Sequence, residues 1–206
     1  MNEIDISQLN FRYPDKLIFK DAQFSINKGT INRIEGANGI GKTTLFHILS
    51  HNLKGELSVT PNIGFEFITT ELIPFDELTG NELIRLFFKL NRREEQEIDT
   101  YIDIFKDMNI EFVLKNRYKN MSLGEKQKLN IMISFINKNA ITLLDEPFNA
   151  LDKESKSIFK EVLFDLSRKY NRTIMYISHN DLELAVDQRL YIYDNQIFEK
   201  EKYYEK

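Results

Sequence analysis

Gly36, Ala37, Asn38, Gly39, Ile40, Gly41, Lys42 and Thr43 fill the pattern G-x-x-x-x-G-K-[ST] in full. Glycines let a backbone wrap closely and turn several N–H groups toward one anion. A helix that starts at the end of such a loop adds its partial positive charge. Lys42 is then placed to reach the β- and γ-phosphates of a nucleotide, and the Thr43 hydroxyl to ligate Mg²⁺. A second candidate is the carboxylate pair Asp145 and Glu146, which ends the apolar run from Ala140 to Leu144. The carboxyl end of a buried strand faces the ligand crevice of an α/β sheet. Asp145 is expected to hold Mg²⁺ through its water shell, and Glu146 to orient and polarise an attacking water. His47 and His51 stand at a possible metal spacing. With no third ligand in view, they read as the face of an amphipathic helix.

The elements around these residues suit the chemistry. Residues 30–35 read as a strand that runs directly into the glycine loop, and Leu45, Ile48 and Leu49 after it fall at helical spacing. Residues 2–9, 17–26 and 63–67 read as further strands. From about 80 to 137 the pattern is helical and charge-rich. Residues 141–145 and 173–178 read as buried parallel strands, and 190–194 as a third. Between them, Ile158, Val162, Leu163, Leu166 and Tyr170 form one helical stripe over residues 153–170. Strands alternating with helices in both halves predict an α/β core with a mainly parallel sheet. The expected organisation is a single domain over 1–206, with its core at about 1–79 and 138–206 and an inserted helical subdomain at about 80–137.

Composition narrows the function. The chain has 206 residues, 42% hydrophobic and 29% charged, enough for one domain with a buried core. Its 28 basic and 32 acidic residues leave a formal charge of −4, so no nucleic-acid partner is expected. There is no cysteine, which excludes disulfides, thiolate metal sites and a cysteine nucleophile. The first residues carry acids and no apolar stretch, so no secretory signal is expected. No apolar run approaches the roughly 20 residues that span a bilayer, so the chain is not expected to cross one.

Taken together, the motifs resemble those of the nucleotide-binding subunit of an ABC (ATP-binding cassette) transporter, over nearly the whole length. Gly36 to Thr44 match its Walker A loop, and Tyr13 matches the aromatic that stacks on adenine. Met121, Ser122, Leu123, Gly124 and Glu125 fall at its signature loop, with KQKLNIM at its basic-Gln-basic run. Asp145 and Glu146 match the Walker B acid and the catalytic glutamate. Asn149, Ala150, Leu151 and Asp152 match the D-loop, and His179 the switch histidine. The resemblance implies a P-loop NTPase core, an N-terminal antiparallel β subdomain and an inserted helical subdomain.

It also implies ATP and Mg²⁺ as cofactors and a head-to-tail dimer with a second copy of the chain or a similar subunit. Each ATP would meet Tyr13, the Walker loop including Lys42 and Thr44, Asp145, Glu146 and His179 of one chain. It would meet Ser122 and Gly124 of the other, with Asp152 also assigned to the site. A separate transmembrane permease is implied, with the chain cytoplasmic and peripheral on the inner face of the membrane. A docking surface for it includes Phe75, Leu86, Phe87 and Phe88, although most of these are expected to be core.

Two departures stand out. Where the family has a Gln leading into the helical subdomain, this chain has Thr69, Thr70 and Glu71. The signature loop has Leu123 for a Gly and Glu125 for a Gln, and a carboxylate near phosphate repels it unless it points away or meets a positive group. Export is favoured, because the chain ends soon after its last strand. The alternative is a non-transport ABC-type ATPase with a regulatory or assembly role. A metabolite kinase would share the phosphate loop and would leave MSLGE and NALD unexplained.

Overall fold

Glu3 and Asp5 alternate with buried Ile4 and Ile6, the period-2 pattern of a half-buried strand. That strand, β1 (Glu3–Arg12), pairs antiparallel with β2 (Leu17–Asn27). The computed structural model describes residues 3–67, 75–178 and 185–199. Within them, β3 (Ile31–Glu35) leads into α1 (Lys42–Leu49), β4 (Glu56–Thr60) and β5 (Gly64–Phe67). Four helices follow: α2 (Gly80–Leu90), α3 (Ile98–Asp103), α4 (Glu111–Lys115) and α5 (Leu123–Ser134). Then come β6 (Ala140–Asp145), α6 (Lys153–Arg168), β7 (Ile174–Ile177), β8 (Gln188–Tyr193) and β9 (Gln196–Glu199).

The strands form two sheets. The antiparallel one has the order β2-β1-β4, and the larger one β5-β6-β7-β3-β8-β9. All neighbours in the larger sheet are parallel except β8 and β9. This is the expected α/β class, with a mainly parallel sheet and a separate N-terminal antiparallel sheet. The central strands β6 and β7 read AITLLD and IMYI, nearly continuous apolar runs, because both of their faces are covered. One hydrophobic core joins the two sheets through α1, whose Leu45, Phe46, Ile48 and Leu49 are fully buried among Ile4, Ile6, Phe19, Leu143 and Met175.

Two strands go beyond the sequence expectation. In β4, ELSVT alternates between exposed and half-buried positions and is too short and polar to stand out. β9 folds back on β8 through Asp194 and Asn195, both at positive φ (46° and 60°), the backbone of a tight hairpin turn.

The chain divides into two compact units. The first comprises 1–67, 139–146 and 166–206, and holds both sheets. The second comprises 68–138 and 147–165. Its interior is aromatic: Phe88 meets Tyr101 edge-on at 5.2 Å and Tyr101 meets Phe105 at 5.4 Å. The Arg93 guanidinium lies 4.2 Å from the centre of the Phe88 ring. Among the described residues, no helix is long and apolar enough to cross a membrane.

Candidate functional site

β3 stands where the sheet changes direction of growth, between β7 and β8, the position at which α/β folds form a crevice at the carboxyl ends of their strands. The glycine loop leaves β3 there. Gly36 and Gly41 have φ of 146° and 121°, and a Cβ on Gly41 would lie 2.5 Å from Ile18 Cγ2. Glycine at position 41 is therefore demanded by both backbone and space. Gly41 is also the N-cap of α1, and no side chain caps that helix. The first turn of α1 thus directs its N–H groups at the loop with no side-chain acceptor of its own, the arrangement that holds an anion.

Lys42 is buried, and its ammonium donates to the carbonyls of Gly36 (2.8 Å) and Ala37 (3.0 Å). Burial pushes its pKa down, while the nearby carboxylates of Glu146 and Asp145 pull it up. The Thr43 hydroxyl donates to Asp145 Oδ2 at 2.7 Å, so the first helical turn and the end of β6 converge. One hydroxyl and one carboxylate are hard oxygen donors suited to Mg²⁺, which keeps most of its waters. Glu146, next in the chain, has a left-handed backbone (φ 48°) and donates its N–H to the carbonyl of Ile177 at 3.0 Å.

Tyr13 ends the β1–β2 hairpin with its ring partly exposed and edge-on to Phe11 at 5.0 Å. Its hydroxyl lies 3.4 Å from Thr44 Oγ1. Lys16, across the same turn, donates to the carbonyl of Gly39 at 2.7 Å. Lys16 belongs to none of the sequence motifs. Its signal is a cation three residues beyond the aromatic, in a hairpin whose tip lies beside the loop. Tyr13, the loop from Gly36 to Thr44, Asp145 and Glu146 all belong to the first unit, whereas Ser122, Gly124 and Asp152 belong to the second.

Ser122 is the N-cap of α5. Its Oγ accepts the N–H of Glu125 at 3.3 Å, and Glu125 Oε2 accepts the N–H of Ser122 at 2.8 Å. This reciprocal capping box engages the carboxylate whose charge would otherwise repel phosphate. The hydrogen bonds from Ser122 hold the Glu125 pKa below the ordinary carboxylate value. A Cβ on Gly124 would lie 3.0 Å from the Ala150 carbonyl, so the backbones at Gly124 and Ala150 approach closely. Gln127 adds a bond to the Pro147 carbonyl at 3.3 Å. Both Asp152 oxygens accept from Ser155, its N–H at 2.8 Å and its hydroxyl at 2.9 Å, and these bonds lower the Asp152 pKa.

His179, Thr69, Thr70 and Glu71 lie outside the described residues. His47 packs edge-on to Phe67 at 5.1 Å, and no cluster of metal-binding side chains occurs among the described residues. Of the aromatic residues around position 87, Phe88 is buried and Phe75 is exposed.

Residues 19–149 match the family model described as ABC transporter. The transport/processing ATP-binding protein LcnDR3 of Lactococcus lactis subsp. lactis (lacticin-481/lactococcin-DR) is 33% identical over 212 residues, covering 95% of this chain and 30% of that protein. The lipoprotein-releasing system ATP-binding protein LolD of Buchnera aphidicola subsp. Acyrthosiphon pisum is 28% identical over 229 residues, covering 98% of this chain and 100% of LolD. Release and import systems both occur among the relatives. The solved ATP-binding subunit of an ABC transporter superposes with a TM-score of 0.83 at 20% identity, covering 97% of this chain and 90% of that one. At that identity the superposition shows the fold alone.

Proposed function

The chain belongs to the ABC transporter family, as one of its ATP-hydrolysing cassettes, and from that premise we propose that it drives transport through a separate membrane permease. The observation that carries the reading is the bond from Thr43 to Asp145 beneath a glycine loop with a buried lysine. It joins the phosphate loop and the Walker B strand in one place.

The proposed roles follow from position. Tyr13 stacks on adenine. Gly36, Ala37, Asn38, Gly39, Ile40, Gly41 and Thr44 surround the phosphates, and Lys42 balances charge on the β- and γ-phosphoryl oxygens as the bond to ADP breaks. Thr43 and Asp145 would hold Mg²⁺, which would supply positive charge against the charge developing on the phosphates. Glu146 orients the water whose oxygen attacks the γ-phosphorus, and takes up its proton. His179 is assigned to the same γ-phosphate on sequence grounds.

Cassettes of this family bind ATP, dimerise and work with membrane permeases. For this chain the partner is a second copy or a similar subunit, contributing Ser122, Gly124 and Asp152 from the opposite side. The chain then acts at the cytoplasmic face of the membrane, held there by the permease.

The test is recovery of the tagged Glu146→Gln chain with Mg-ATP from detergent-solubilised native membranes, followed by mass spectrometry. A multi-span membrane protein in stoichiometric amount is expected, and vesicles reconstituted with the pair give the direction. A dimer of the chain recovered with no membrane protein contradicts transport and supports the non-transport alternative.

A further inference from the structure

Arg33 lies in the middle of β3 and is only 6% exposed. A buried guanidinium persists only where its charge is paired and its donors are used. Register places Arg33 opposite Tyr176 on β7 and opposite Arg189 on β8, so two arginines stand side by side in the sheet. Glu35, two residues along and therefore on the same face of β3, lies between them. Its Oε1 accepts from Arg189 Nη1 at 2.6 Å and lies 3.6 Å from Arg33 Nε.

Another arm of the Arg33 fork does something different. Nη2 donates to the carbonyl of Ser178 at 3.2 Å, at the carboxyl end of β7. The preceding carbonyl, that of Ile177, accepts the N–H of Glu146 at 3.0 Å. Glu146 has a left-handed backbone, which a residue with a side chain keeps only where its surroundings enforce it. Adjacent peptide groups at the end of β7 therefore link Arg33 to the backbone of Glu146. All of these residues lie in the first unit.

We propose that Arg33 is a positioning residue for hydrolysis: it fixes the end of β7, and through it the anchor from which Glu146 addresses the water. The inference rests on the role assigned to Glu146 above. Arg33 itself is given no contact with phosphate or metal. The planar guanidinium faces the Glu35 carboxylate with one nitrogen and the Ser178 carbonyl with another, whereas a lysine ammonium is a single point of charge.

The experiment measures Mg-ATPase kinetics of the full chain carrying Arg33→Met or Arg33→Lys, each also combined with Glu146→Gln. Arg33→Met is expected to lower kcat about tenfold to a hundredfold, as a misplaced catalytic group does, with KM for ATP changed by less than about twofold. Arg33→Lys falls between Arg33→Met and the unmodified chain. On top of Glu146→Gln, neither change lowers turnover further, because the group acted through is already lost. Unchanged kcat in the Arg33 variants overturns the proposal, and so does an undiminished loss in the Glu146→Gln background. If Arg33→Met does not fold, Arg33→Lys decides between the same outcomes. Normal turnover in Glu146→Gln alone removes the premise, whereas a slow Glu146→Gln beside fully active Arg33 variants removes only Arg33.

Discussion

Helices α1 and α5 both begin at loops assigned to phosphate, yet their N-termini are finished in opposite ways. α1 starts from Gly41 with no side-chain cap. α5 starts from Ser122, whose hydroxyl and whose N–H are both tied to Glu125. Helix α2 has the same reciprocal box, between Thr79 and Glu82, at a start with no assigned ligand. The box is thus a way to finish a helix, and α5 uses it although its loop carries the family signature. The phosphate loop offers backbone donors that no side chain of the helix start satisfies, so its specificity lies in glycine geometry. The signature loop uses its first turn on itself, and the Ser122 hydroxyl meets a phosphate only by turning its proton away from the Glu125 carboxylate. Breaking the first should abolish binding. Breaking the second should spare binding and slow turnover.

The largest effect is expected at Gly41. In Gly41→Ala the new Cβ meets Ile18 at a backbone φ that L residues rarely adopt. ATP affinity should fall about a hundredfold or more, since strain of roughly 1–3 kcal/mol adds to the displacement of several donors. Calorimetric titration with ATP and with ADP checks it, and equal losses for both are expected.

Ser122→Ala comes next. It removes the cap, at about 1 kcal/mol of stability, and the hydroxyl donor to a charged group, worth about tenfold to a hundredfold in turnover. ATP binding to the single chain should stay within about threefold of the unmodified protein. Thermal unfolding and steady-state ATPase assays separate the two losses, and Ser122→Thr should recover both in large part.

Glu125→Gln should have the smallest effect, because glutamine keeps the box and removes only the charge. At neutral pH the loss of a carboxylate in the first turn of a helix costs about 0.5 kcal/mol. The folded-state pKa of Glu125 is depressed, so its stabilisation is present above the unfolded pKa and disappears as pH falls through the folded one. Stability curves of the two proteins should therefore differ at neutral pH and converge in acid, below the ordinary carboxylate range. A gap that widens toward acid would show that the carboxylate is not held as described.

Much of this contrast is legible in the amino-acid sequence. The spacing of Gly36, Gly41, Lys42 and Thr43 encodes backbone geometry directly, and an apolar strand ending in Asp145 and Glu146 places its acids by topology. The buried strands β6 and β7 announce themselves as unbroken apolar runs. S-x-x-E at Ser122 is itself a capping-box pattern, but charge considered alone makes Glu125 a repulsive group beside phosphate. β9 is signalled only by Asp194-Asn195, a two-residue turn easily lost beside the stronger run of β8. The Arg33, Glu35 and Arg189 group is hidden for a different reason. Arg189 is far from the other two in the chain, and only the register of β7, β3 and β8 brings the group together.

The central claim is that one chain's phosphate loop and another's signature loop share each ATP. Light scattering of Glu146→Gln with and without Mg-ATP, beside Ser122→Asp/Glu146→Gln, tests it most directly. Aspartate preserves the helix cap while setting a charge against phosphate. Glu146→Gln is expected to become a dimer only with ATP, with one nucleotide bound per chain. The double variant is expected to bind ATP and stay a monomer. A Glu146→Gln chain that binds ATP and remains monomeric, or a double variant that dimerises equally well, would contradict the claim.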